Sequence, residues 1–199
     1  MRSVWQQQQQ TSYCFYGSKR HMMIDIFNNS TNPFYRFGQV VFLKKIKKED
    51  WVAYIIDSFK KTGKEISEWQ AGYITDIVKC HSWYVQQLCY FIWSGTLDKV
   101  TDELIKQRLD MLIDTNMPMF MNDCEHLTSY QIAMLRAIYS GEVKLSSSTV
   151  VSKYGLGNSQ TITRNKRILQ EEDFVDKNGD VFTFSDPVFE LWFGRQYMR

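Results

Sequence analysis

Six residues in one short stretch carry the side chains that a nucleic-acid groove calls for. Ser159, Gln160, Thr163, Arg164, Lys166 and Arg167 set amide and hydroxyl groups beside three cations, and no acid follows until Glu171. Amides and hydroxyls can read base edges, while Arg and Lys hold phosphates. Asp173, Asp176 and Asp180 come just after and oppose that use, because carboxylates repel a phosphate backbone. Docking to a protein is the other chemistry that the same stretch could serve.

Other chemistries lack their residues. A phosphate-cradling loop needs Gly, four residues, then Gly-Lys-Ser or Gly-Lys-Thr, so that backbone amides and a lysine wrap the phosphates. The Gly-Lys pair here, Gly63-Lys64, is followed by Glu65 and preceded five places earlier by Ser58. No acid closes an apolar strand in the way a magnesium-holding carboxylate would. Cys80-His81 with Cys89, or Cys124-Glu125-His126, could be assembled into a metal set, but zinc sites favour close paired spacings that are absent. No metal is expected. No nucleophile elbow surrounds any serine. Cys14, Cys80, Cys89 and Cys124 lie far apart, without a disulfide framework, which points to a reducing cytoplasm.

The chain has 199 residues, 44% of them hydrophobic and 15% aromatic, enough to bury a core. Its net charge of +2 does not by itself argue for nucleic acid. Lysines crowd residues 44–64 and acids load residues 98–125, as solvated helix faces do. No apolar run is long enough to span a bilayer, and the start, leading into five glutamines, does not read as a signal peptide.

Trp5 to Gln10 reads as the end of a helix. Tyr13-Cys14-Phe15-Tyr16 and Gln39-Val40-Val41-Phe42-Leu43 read as short strands, with a helical stretch and an Asn-rich loop between them. From Lys48 the period becomes helical: Trp51, Ile55 and Phe59 share a face. Ser67, Ser82 and Thr101 are expected caps of three further helices, the last ending near Asp114 before a connector at Asn116-Met117-Pro118. The second of these four helices is expected to run to Cys80. Then follow a helix capped by Ser129, a short helix from Ser146 to Lys153, a helix capped by Asn158 or Ser159, a hairpin turning at Asn178-Gly179, and a last helix from Asp186. Three helices and a hairpin in that order predict a winged helix-turn-helix, with residues 158–170 in the recognition position.

Several stretches resemble one family. Tyr16-Gly17-Ser18-Lys19-Arg20-His21-Met22-Met23, Pro33-Phe34-Tyr35-Arg36, His81-Ser82-Trp83-Tyr84-Val85-Gln86-Gln87-Leu88, and the ending Ser185-Asp186-Pro187-Val188-Phe189-Glu190-Leu191-Trp192-Phe193 are, in this order and spacing, similar to the C-terminal part of archaeal-type AAA+ ATPases of the P-loop class, which also abound in gut bacteria. The resemblance implies that residues 13–18 are the sensor-1 strand, with Ser18 facing the terminal phosphate or attacking water. It implies an arginine-finger segment around Arg36, although that residue stands one place earlier than in the family pattern Pro-Leu-Tyr-Gly-Arg. It implies a lid helix whose opening, at His81, faces the nucleotide. There the family motif has glycine and proline where this chain has Cys80 and Ser82.

The expected fold is therefore mainly α: a truncated α/β remnant of an ATPase core at 1–45, a helical lid bundle at 46–118 and a winged helix at 119–199. The expected protein couples ATP and Mg2+, bound by an N-terminal half that these residues do not include, to movement of lid and winged helix. The 199 residues alone are expected to be inactive and to hold no cofactor. The rival reading is a stand-alone winged-helix transcriptional regulator that binds DNA. Partners are DNA or a client protein at the winged helix and, through unpaired strands in 1–45, a second copy of the chain. No membrane partner is expected.

Overall fold

A computed structural model of the chain describes residues 4–5, 7–8, 10–17 and 20–198. The chain forms two compact units, Met1–Lys44 and Lys45–Arg199.

In the first unit, α1 spans Arg20–Asn28 and leads into turns through residues 30–36. Asp25 organises the exit, accepting from the Asn29 amide at 2.8 Å and, through its backbone carbonyl, from the Asn32 amide at 2.8 Å. Trp5 gathers aromatic rings: Tyr13 at 5.0 Å, Phe15 at 5.1 Å and Phe34 at 5.3 Å between centroids. Beside them lies a cavity of about 400 Å3 lined by Phe15, Met23, Ile26 and Phe27 among others. The strands expected at 13–16 and 39–43 do not form. A strand persists only when a neighbouring strand takes up its N–H and C=O groups in a ladder. Tyr16 and Leu43 are each 93% exposed as a result.

The second unit opens with a bundle: α2 (Lys48–Lys61), α3 (Glu68–Ile77), α4 (Ser82–Gly95) and α5 (Asp102–Glu125). Trp51, Ile55 and Phe59 are buried on one side of α2, as their spacing requires. Ser67 and Gln70 close a capping box at the start of α3, and Thr101 accepts from the Leu104 N–H to start α5. Between the α2–α3 connection and the α4–α5 connection, Glu65 donates to Asp98 at 2.8 Å and accepts from Val100 at 2.9 Å.

α5 departs from expectation. It continues through Pro118 to Glu125 instead of ending near Asp114. Proline removes one helical hydrogen bond and costs about 3 kcal/mol in a helix interior. Packing beyond the proline offsets this. Beyond the proline, Phe120 is 1% exposed and packs its ring 5.3 Å from Phe189 and 5.7 Å from Trp192. Burying one such ring returns about 2–3 kcal/mol.

α6 (Ser129–Tyr139), α7 (Ser148–Tyr154), α8 (Ser159–Glu171), the hairpin β1 (Val175–Asn178) and β2 (Val181–Phe184), and α9 (Pro187–Tyr197) complete the chain. Caps fall one residue earlier than expected at α4 and α6, on His81 and Thr128, and of the two candidates at α8 the cap is Asn158. Gly155 (φ 67°) and Gly157 (φ 80°) make the left-handed turn between α7 and α8, a conformation that a side chain would strain. The hairpin pairs Val175 with Phe184 and Asn178 with Val181, so Gly179 and Asp180 form its two-residue turn, one place later than the expected Asn178-Gly179, because Asn178 is held in the ladder. The architecture is thus mostly helical, with a winged helix at its C-terminal end. No described helix is long and apolar enough to cross a membrane.

Candidate functional site

The loop between α3 and α4 is the most constrained piece of backbone in the second unit. Lys79 (φ 48°) and Cys80 (φ 53°) lie consecutively in the left-handed region. Two non-glycine residues there cost about 1–2 kcal/mol each. The sequence reading, which carried the helix to Cys80, missed this. A signal was present: the resembled motif has glycine at that position.

Ties from several sides hold the loop. Lys45 donates from Nζ to the Lys79 carbonyl at 3.0 Å. The Lys79 ammonium pairs with Glu190 of α9. The Tyr84 hydroxyl donates to Asp186 Oδ2 at 2.5 Å, and Asp186 Oδ1 accepts from the Val188 and Phe189 N–H groups at 2.8 and 2.9 Å, capping α9. The His81 ring sits 4.7 Å from that of Tyr84.

His81 occupies the cap position of α4 without making a side-chain cap bond, and its Nδ1 is buried with no hydrogen-bond partner. The first amides of a helix favour an anion. Burial lowers the His81 pKa below its ordinary value, Asp186 opposes the change and Lys45 adds to it, so the neutral imidazole is favoured. A neutral ring offers one donor and one acceptor. Burial, followed by Asp186, raises the Tyr84 phenol, which keeps the hydroxyl a donor. Burial raises the Cys80 thiol, so it is no nucleophile near neutral pH. Among the described residues no group of three His, Cys, Asp or Glu side chains could hold a metal ion.

The second candidate surface is α8. Ile162, Asn165 and Leu169 anchor it inward. Ser159, Gln160, Thr163, Arg164 and Arg167 are exposed, and Gln160, Arg164 and Arg167 follow one stripe at helical spacing. Thr163 spends its hydroxyl on the Ser159 carbonyl at 2.9 Å, and Arg167 lies 3.7 Å from Glu171. Lys166 is set apart from this stripe. Its Nζ donates to Ser146 Oγ at 3.1 Å and lies 5.7 Å from the Phe182 ring, and burial lowers its pKa, aided by Lys177.

Of the other sequence candidates, Ser18 lies outside the described residues. Arg36 belongs to the first unit and is exposed, with φ 53°, its N–H donating to the Phe27 carbonyl at 2.9 Å and its guanidinium carbon 5.1 Å from the Tyr35 ring.

Comparison with known proteins bears on both regions. A family model described as a probable winged helix domain matches residues 118–195. Among solved structures, the Walker-type ATPase paby2304 of Pyrococcus abyssi has a TM-score of 0.67 at 14% identity, covering 89% of this chain and 51% of that chain. At that identity the likeness speaks for fold. The chain spans about half the length of that ATPase chain, 51% of it. No curated protein matches. The chain thus shares a fold with part of that protein and carries a winged helix at its C-terminal end. The matched ATPase is archaeal, and neither match bears on an origin in gut bacteria.

Proposed function

We propose that this chain is the C-terminal part of an AAA+-like, Walker-type ATPase, in which the helical bundle of α2–α5 serves as lid and the winged helix follows its movement. The observation that carries the reading is the fold likeness of 89% of the chain to about half of a Walker-type ATPase. ATP and Mg2+ would be bound by a Gly-rich loop and acid outside these 199 residues. When bound, ATP supplies the phosphate bond whose cleavage resets the switch. This chain's own contribution is contact and response. The neutral His81 ring and the uncapped α4 amides would meet the nucleotide, with Ser18 and Arg36 as further sensing candidates from the first unit. The free thiols of Cys14, Cys80, Cys89 and Cys124 support a cytoplasmic setting.

The test is made on the longer polypeptide that carries the phosphate loop. His81→Ala should weaken ATP binding roughly tenfold, the worth of about one hydrogen bond to a charged group, while shifting the melting temperature by no more than about 2 °C. Unchanged ATP affinity with a clearly lower melting temperature would reduce His81 to a packing residue.

A second reading is kept because of the exposed stripe Gln160, Arg164 and Arg167: the winged helix binds DNA, as in a transcriptional regulator. Docking of a client protein on the same face is its competitor.

A further inference from the structure

Two stretches that the sequence sets about a hundred residues apart meet through one carboxylate. Asp186 begins α9, and its Oδ1 alone accepts from the Val188 and Phe189 N–H groups. A single acceptor oxygen is enough for that task, which Ser67, Thr101, Thr128, Ser147 and Asn158 perform at other helices of this chain. Asp186 has a second acceptor, and Oδ2 takes the Tyr84 hydroxyl at 2.5 Å. Tyr84 is 4% exposed, so its hydroxyl needs a protein partner. One turn further along α9, Glu190 holds Lys79, a residue of the strained loop itself. Backbone in a sparsely populated region persists when its surroundings over-determine it, and here part of those surroundings belongs to the winged helix.

We propose that Asp186 is a positioning residue for His81: through Tyr84, with Glu190 and Lys79 as a second tie, it fastens the loop of residues 78–81 to the start of α9, so that this loop and the winged helix move together. The inference rests on the functional reading above only for why the place of His81 matters.

The experiment uses the 199-residue chain, with amide hydrogen exchange and NMR of the histidine rings. Tyr84→Phe keeps the ring against His81 and keeps the α9 cap, and removes only the tie. Amides of residues 79–85 should exchange roughly tenfold faster, as loss of a charge-assisted hydrogen bond implies, while amides of α6 keep their rates. The His81 ring resonances should move. Asp186→Asn, which still caps, should reproduce the loosening in weaker form, and adding Glu190→Gln to Tyr84→Phe should loosen the loop further. Unchanged exchange at 79–85 with unmoved His81 resonances overturns the proposal. So does an equal acceleration throughout the chain, which would mean that Tyr84 only stabilises. No nucleotide enters this test. An ATP affinity indifferent to His81→Ala in the longer polypeptide would therefore end the sensing role and leave the tie standing.

Discussion

Cys80 carries a side chain into a backbone conformation that glycine adopts freely, at φ 53°, and that side chain is partly buried against the core. The two facts pull in opposite directions, and comparing glycine with alanine separates them. Both substitutions lose the thiol's packing. Only glycine relieves the left-handed strain, worth about 1–2 kcal/mol, and it gives back about 0.5–1 kcal/mol through its freer unfolded chain. Cys80→Gly should therefore be more stable than Cys80→Ala by about 0.5–1 kcal/mol in chemical denaturation. Alanine equal to or better than glycine would show that the turn is not strained. His81 itself was legible, because its neighbours resemble a lid motif. The ties around it were not, since no local pattern announces a hydrogen bond from Tyr84 to Asp186 or an ion pair from Lys79 to Glu190.

At the scale of elements, what could be read depended on whether the deciding contact was local. The helix periods and the caps at Ser67 and Thr101 are set by near neighbours in the chain and stand where expected, and Asn158 is one of the two caps expected for α8; the hairpin forms as well, with its turn one place later than Asn178-Gly179. Pro118 locally favours a connector after a helix ending near Asp114, because proline is costly inside a helix. What decides there is Phe120 meeting Phe189 and Trp192 across the fold, which no window of sequence contains. α8 shows the same division. Its residue types suggested three equivalent cations, yet Lys166 is occupied by Ser146 and Phe182, while Arg164 and Arg167 face outward. If the winged helix touches DNA, the double change Arg164→Ala and Arg167→Ala should abolish binding to a mixed duplex and lower the salt slope by about two. Lys166→Ala should leave the slope nearly unchanged and lower stability by about 0.5–1 kcal/mol instead, having lost a hydrogen bond and a ring contact. Equal binding by the double variant and its parent, or no binding by either at low salt, would assign the face to protein docking.

For the molecule as a whole, the two units differ in what holds each together. Lys45–Arg199 buries a continuous apolar set that runs from Trp51 to Phe193. Met1–Lys44 has, among its described residues, one buried apolar side chain, Phe27 at 9% exposure, with a ring cluster around Trp5. Its two apolar segments at 13–16 and 39–43 are not strands, and Val41 and Leu43 are 67% and 93% exposed. Local opening needs little free energy where few apolar contacts and few ladder bonds must be broken. Trypsin should therefore cut after Arg36 and Lys44 at least an order of magnitude faster than at any lysine or arginine between residues 48 and 195. One arrangement would slow those early cuts: a second copy pairing along residues 39–43, since an exposed apolar edge is a template for another strand. Sedimentation separates the cases, because protection by pairing brings a doubled mass that falls back on dilution. A monomer cut as slowly at Lys44 as within the winged helix would contradict this account of the first unit.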